Sequence, residues 1–368
     1  MKKVMIVFGT RPEAIKMCPL VLELQSRKYF EVVVCVTGQH KEMLDSVLEI
    51  FHVVPKYNLN IMKEQQDLSD ITCGILQGMK DILKAEMPDM VLVHGDTSTT
   101  FSVALECFYL GIPVGHVEAG LRTDNIKNPF PEEWNRRAVG LLSSLHFAPT
   151  KQAKQNLLKE GKRDEDIYVT GNTAIDALKT TLSENYKHPM LKWAEDSRLI
   201  LITAHRRENL GQPMRNMFRA IKRTVEKYPD IRAIYPIHMN PKVRAIANDE
   251  LAECDRIQII EPLNVVDFHN FMKASYFILT DSGGIQEEAP ALGKPVLVMR
   301  ETTERPEGIS AGTLKLVGTD ENNIYNEFCM LLDNPVEYAK MAGAQNPYGD
   351  GTACIQIADV LTERLGAK

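Results

Sequence analysis

The chain has 368 residues, 44% hydrophobic, 25% charged and 7% aromatic, a soluble globular composition that suits two domains better than one. Its 43 basic and 49 acidic residues leave a net charge of -6, which gives no electrostatic footprint for nucleic acid or an anionic membrane, so an anionic ligand has to be held by local positive charge. Seven cysteines without a CxxC pair argue against a disulfide framework or structural zinc, and no stretch approaches the ~20 apolar residues of a membrane span; with an N-terminal apolar run too short for a signal peptide, a reducing cytoplasm is expected.

The spacing predicts a strand over Lys3–Phe8 and a helix over Arg11–Arg27, with Pro12 suited to its first turn. The junction, Phe8-Gly9-Thr10-Arg11-Pro12-Glu13-Ala14-Ile15-Lys16, sets Arg11 and Lys16 where free helix N–H groups receive phosphate. It reads equally as a strand–helix turn with surface cations, and it is neither GxGxxG nor a P-loop. A strand over Glu31–Thr37 and helices over Lys41–Phe51 and Ile71–Leu83 follow. Met90–His94 is a strand ending in His94-Gly95-Asp96-Thr97-Ser98-Thr99-Thr100, where Asp96 is placed to cap the helix Thr99–Tyr109 or to act on a ligand. The strand Pro113–Val117 ends in His116-Val117-Glu118, and a glutamate just past a buried strand is less easily explained as a cap. Asn128-Pro129-Phe130-Pro131-Glu132-Glu133 puts two carboxylates at a helix start, either for the macrodipole or for chemistry. Leu145–Ala148 is the last strand of this half. Carboxylates gathered at one sheet edge raise one another's pKa, which suits acid–base work.

Strands over Leu199–Thr203, Ala233–Pro236, Ile257–Ile260, Phe277–Thr280 and Pro295–Val298 repeat the theme, with helices over Met214–Lys227, Pro241–Leu251, Val265–Lys273 and Ile285–Leu292 between them. His205 follows the first of these strands and is flanked by Arg206 and Arg207. In Thr280-Asp281-Ser282-Gly283-Gly284, the two glycines let a backbone approach a pyrophosphate, and Glu288 is spaced to take two vicinal ribose hydroxyls. Arg305 sits in a polar loop where it either reaches a phosphate or is solvated. The alternation of strand and helix predicts βαβ units in two doubly wound parallel sheets, with ligands at the carboxyl ends of the strands in a cleft between two halves. The expected division is 1–180, 181–347 and a terminal helix in 348–368 folding back on the first half.

The segments FGTRPEAIKMCPL, TGQHKEML, VHGDTSTT, HVEAGLRT, NPFPEEWNRR, TAHRREN and DSGGIQEEAPALGKPVLVMRETTERPEGISAGT, collinear along nearly the whole chain, resemble the bacterial non-hydrolysing UDP-N-acetylglucosamine 2-epimerases. The resemblance implies a GT-B fold of two Rossmann-like domains, usually a homodimer. It implies an isomerase that needs no redox cofactor or metal, and interconversion of UDP-GlcNAc and UDP-ManNAc for surface polysaccharides. Carried over by position, it implies catalytic roles for Asp96, Glu118, Glu132 and His205, and substrate contacts from Arg11, Lys16, Phe268, Ser282, Gly283, Gly284, Glu288 and Arg305. An activating second UDP-GlcNAc, a feature of many members, would fall on Gln39, Glu42, Arg206 and His238; an arginine of some members is Gln65 here, and a glutamine of some members stands at Leu263. A GT-B glycosyltransferase, a hydrolysing epimerase and a UDP-sugar sensor are the rival readings.

Overall fold

Short runs of Val, Ile, Leu and Met between turn residues form the strands, because a parallel strand is buried on both faces and needs no polar alternation. The first seven are β1 (Lys2–Phe8), β2 (Phe30–Val36), β3 (Tyr57–Asn58), β4 (Met90–His94), β5 (Val114–Val117), β6 (Leu145–Ala148) and β7 (Ile167–Val169). Six more follow: β8 (Arg198–Thr203), β9 (Ile231–Pro236), β10 (Ile257–Ile260), β11 (Phe277–Thr280), β12 (Val296–Val298) and β13 (Leu314–Leu316). The computed structural model describes residues 1–38, 41–63 and 65–366, and of 41–43 the backbone alone.

Two compact units result, Met1–Thr180 together with the chain from Tyr348 onward, and Thr181–Pro347. The first holds a seven-stranded sheet in the order β3-β2-β1-β4-β5-β6-β7, the second a six-stranded sheet in the order β10-β9-β8-β11-β12-β13. Paired strands are parallel in both. Each order reverses once, between β1 and β4 and between β8 and β11. At such a switch point the loops leaving neighbouring strands diverge, and the crevice between them receives ligands. The segments that the sequence singled out after β1, β4, β8 and β11 are those loops.

Alternate side chains of β1 enter two cores: Val4, Ile6 and Phe8 pack with Met17, Leu20 and Leu24 of the helix Arg11–Ser26, while Met5 and Val7 pack with Ile75, Met79 and Val103. The last helix, Ala353–Arg364, adds Cys354, Ile357, Ala358 and Leu361 to the first of these cores. Asp176 receives its leading N–H groups, from Ala353 at 3.2 Å and Cys354 at 3.0 Å. In the second unit, Ile200, Ile202, Met217, Phe218, Ile221 and Phe277 form the corresponding core.

Three differences from the sequence expectations have clear causes. The strands β3, β7 and β13 are two or three residues long, too short to show a period. The helix predicted over Ile71–Leu83 begins at Leu68, because Asp67 and Asp70 form a reciprocal capping box ahead of the apolar run. Asp96 does not cap the next helix; Thr97 does, accepting from the Thr100 N–H at 3.1 Å. Among the described residues no helix is long and apolar enough to cross a membrane.

Candidate active site

In the first unit the loop after β5 turns sharply at Glu118, whose backbone lies in the left-handed region at φ 64°. For a residue with a Cβ this costs on the order of 1–3 kcal/mol and persists only where the surroundings enforce it. Here they do: Gly95 N donates to Val117 O at 2.9 Å on one side, and Ala119 N donates to Phe147 O at 3.0 Å on the other. The side chain is equally fixed. Lys16 Nζ pairs with Oε2, Asn172 Nδ2 donates to the same oxygen at 2.8 Å, and His94 Nε2 stands 3.6 Å from it. Gly95, at φ 66°, lies beneath Oε1, and a side chain there would approach that oxygen.

Asp96, freed of capping, is held by Arg136 Nη2 at 2.6 Å, while Asn135 Nδ2 donates to its carbonyl at 2.9 Å. Both partners come from the helix Glu132–Leu142, on which positions 132, 135 and 136 share a face. Glu132, at its first turn, is half-buried and has no hydrogen-bond or ion-pair partner among the described residues. Its neighbour Glu133 is fully buried and structural: it receives Thr123 N at 3.1 Å and Arg137 Nε at 2.7 Å. Arg11 begins the helix after β1, and burial lowers its guanidinium from the ordinary value.

Several residues outside the set of predicted site residues also build this unit's site. Buried Glu13 receives Gly9 N at 3.1 Å, Thr10 N at 2.8 Å and Thr97 Oγ1 at 2.8 Å, tying the loops after β1 and β4 across the switch point. The Thr10…Glu13 capping-box spacing was the signal for it. His116 Nε2 meets Gly95 O at 2.7 Å, and burial drives its ring down to about 3, which keeps it neutral. Asn172 and Arg136 carried no local signal.

In the second unit fully buried Asp281, at the end of β11, gathers the loop after β8. It accepts His205 N at 2.9 Å, Arg206 N at 2.9 Å and Asn209 Nδ2 at 3.2 Å. The His205 ring stacks on His238 at 5.3 Å. Burial lowers its pKa; Asp281 opposes this, and His238 and Arg206 reinforce it. The Ser282-Gly283-Gly284 turn is fixed by Ser282 N donating to Thr280 Oγ1 at 2.9 Å and by Gln286 Nε2 donating to Ser282 O at 3.0 Å. A Cβ on Gly283 would lie 2.9 Å from Glu304 Oε1, 3.5 Å from Arg206 Nη2 and 3.8 Å from Arg305 Cζ, so the missing side chain is what lets these groups close on the turn. The helix that follows, Ile285–Ala291, has seven residues, and the positive charge beside the turn is supplied chiefly by side chains. Arg206 and Arg305 lie 3.1 and 3.5 Å from Glu304 Oε1, and Arg300 lies 2.7 Å from Oε2. Burial would raise the Glu304 carboxyl, but Arg305, Arg300 and Arg206 outweigh it and hold it at about 2. Arg305 also pairs with Glu287 at 2.6 Å. Glu288 lies 3.6 Å from His269, and Phe268 is half-buried on the helix Val265–Ala274.

Of the residues suggested for an activator, Arg206 and His238 therefore belong to the His205 cluster. Gln39 and the Glu42 side chain fall outside the described residues, and Gln65 is exposed, at φ 58°. Among the described residues no group of three His, Cys, Asp or Glu is arranged to hold a metal ion.

A family model described as UDP-N-acetylglucosamine 2-epimerase matches residues 22–362. The UDP-N-acetylglucosamine 2-epimerase of Bacillus subtilis (strain 168) is 58% identical over 364 residues, covering 99% of this chain and 96% of the relative. That of Escherichia coli (strain K12) is 50% identical, covering 98% of each. In three dimensions the chain is similar to the crystal structure of UDP-GlcNAc 2-epimerase from Neisseria meningitidis bound to UDP-GlcNAc, with a TM-score of 0.91 at 49% identity over 98% of this chain and 100% of that one. Its two doubly wound sheets are the Rossmann-like sheets of an α/β GT-B fold. A family model spanning most of the chain, and relatives at half identity or more along their full length, place the chain in the UDP-N-acetylglucosamine 2-epimerase family, as an isomerase of that class.

Proposed function

We propose that the chain interconverts UDP-GlcNAc and UDP-ManNAc by eliminating UDP to give 2-acetamidoglucal and adding it back after protonation on the other face. The C2 proton has no adjacent carbonyl, so its removal is easiest while the C1–O bond breaks and the diphosphate leaves with the electron pair. The observation that carries this reading is the fixed Glu118: a half-buried carboxylate on a strained backbone, with Lys16 and Asn172 on one oxygen. An acceptor so occupied is a poor proton abstractor but a good stabiliser of positive charge developing at C1.

Asp96 and Glu132 are assigned the two proton transfers at C2. Arg136 orients the first, and the second has lone pairs uncommitted among the described residues. His205, on a loop anchored by Asp281, hydrogen-bonds or protonates the leaving diphosphate. Arg11, Lys16 and Arg305, with the Ser282-Gly283-Gly284 turn, take the diphosphate; Glu288 takes the ribose hydroxyls, and Phe268 contributes a further contact. The domain pattern that goes with these roles puts the catalytic carboxylates, with Arg11 and Lys16, in 1–180, His205 and the other UDP contacts in 181–347 and the C-terminal helix in 348–368.

The enzyme works in the cytoplasm and supplies ManNAc units for surface polysaccharide. Arg206 and His238, with Gln39 and Glu42, are assigned to an activating second UDP-GlcNAc. A homodimer is supported by the exposed Phe108, Tyr109 and Leu141, which end two helices packed side by side.

The test is proton NMR with UDP-GlcNAc in D2O without added NAD or metal. UDP-ManNAc with deuterium at C2 in both epimers and the UDP linkage intact is expected. UDP with free ManNAc would mean a hydrolysing enzyme, and silence at all UDP-GlcNAc concentrations despite UDP binding would leave a transferase or a sensor. A sigmoidal rate against UDP-GlcNAc would support the activator site, and light scattering of the purified chain tests the dimer.

A further inference from the structure

His94 ends β4 at the switch point, one residue from Gly95 and two from Asp96. It is 4% exposed, and its ring Nε2 is buried with no hydrogen-bond partner among the described residues. A buried polar atom without a partner is unfavourable, so a second arrangement that satisfies it is favoured. Glu118 Oε2, a carboxylate acceptor, lies 3.6 Å from it. That is outside hydrogen-bond range, and a shift of roughly 0.7 Å would bring it within. The main chain around the ring is fixed: Thr100 Oγ1 donates to His94 O, and Gly95 is tied to Val117 O and to the His116 ring. Closing the gap therefore falls to the two side chains.

The same oxygen already receives Lys16 and Asn172. Lys16 is one of the cations assigned above to the substrate's diphosphate, and an ammonium has to turn from one anion to serve another. We propose that His94 is a positioning residue for Glu118, one that donates from Nε2 to Oε2 when the nucleotide sugar draws Lys16 away. Glu118 then keeps two donors on Oε2 throughout the reaction, and its carboxylate stays in place while charge develops at C1. No proton is transferred in the exchange; one N–H···O bond replaces another. His94 thus matters for turnover more than for binding. The proposal rests on the assignment of Lys16 and Glu118 made above.

Its test compares His94→Leu, His94→Asn and His94→Gln in the D2O epimerisation assay, with UDP titration and melting curves alongside. Glutamine carries an N–H at the reach of Nε2, whereas asparagine stops short of it and leucine has none. Loss of kcat by thirty- to a hundredfold is expected in the leucine and asparagine variants, with KM and UDP affinity within threefold of the parent. Glutamine should restore at least tenfold of that loss. Should the leucine variant fail to fold, the asparagine–glutamine pair, alike in polarity, decides alone. Equal rates in those two, or a loss confined to KM, would overturn the proposal. A parent that does not epimerise at all would instead overturn the functional assignment on which it rests.

Discussion

Replacing Asp281 with asparagine removes one charge and no volume, so its effect isolates what the carboxylate contributes. Oδ2 accepts His205 N at 2.9 Å, Arg206 N at 2.9 Å and Asn209 Nδ2 at 3.2 Å, and Oδ1 is 3.1 Å from the first of these donors. Asparagine can face Oδ1 toward all three only by pointing its own NH2 at the His205 N–H. Each charge-assisted bond then falls to an ordinary one, a loss of about 1 kcal/mol apiece and about 3 kcal/mol together. Asp281 is fully buried, so water does not compensate. For the Thr181–Pro347 unit, about 170 residues long, each kcal/mol corresponds to roughly 2–4 °C, which gives a fall of about 6–12 °C in its unfolding transition. Differential scanning calorimetry of the full chain reads this directly, and hydrogen exchange should show His205 and Arg206 amides opening faster. A transition within about 2 °C of the parent, with those amides unchanged, would refute the view that Asp281 anchors the loop.

Asp96→Asn and Glu132→Gln should each cut turnover by roughly a hundredfold or more with UDP-GlcNAc still bound, seen by steady-state kinetics beside calorimetric titration. Near-parental turnover in either would remove that carboxylate from the chemistry. Arg305→Met takes a cation from the Ser282-Gly283-Gly284 turn and leaves buried Glu287 short of a partner; UDP affinity should fall about tenfold or more, with a lowered melting temperature. Arg136→Met should reduce kcat with little change in KM, since it orients Asp96 and is not assigned to substrate. Glu86, held by Lys3, Lys56 and Tyr57 at about 2, contributes stability that is complete above its unfolded value near 4.5 and is lost as pH falls toward 2. The gap between the urea midpoints of parent and Glu86→Gln should therefore narrow as pH falls from 5 toward 2; a constant gap would contradict the assignment.

Local features were readable from the sequence, and long-range pairings were not. Strands such as β1, β4, β8 and β11 are unbroken apolar runs, and the loops beyond them stood out because Gly, Asp, His and Arg follow so abruptly. The family, too, was legible, in seven collinear segments. What joins those segments was not: Arg136 reaches Asp96 from 40 positions away and Asn172 reaches Glu118 from 54. Periodicity identifies a helix or strand but says nothing about which distant side chain meets it. Of the two readings open for Asp96, capping falls instead to Thr97, because both residue types cap helices and only the backbone turn decides between them. Asp281 was passed over as part of a glycine turn, though its burial makes it the organiser of that turn.

The terminal helix Ala353–Arg364 supplies Cys354, Ile357, Ala358 and Leu361 to a core whose other members were laid down from Val4 onward. On the ribosome, that core cannot be completed until the last residues leave the exit tunnel, after the whole of the Thr181–Pro347 unit has emerged. The second unit can fold while the first is still waiting for its final piece. Termination just after Pro347 would therefore damage the carboxylate-bearing unit, whose core starts at Val4, while every residue of the Asp281 unit is already made.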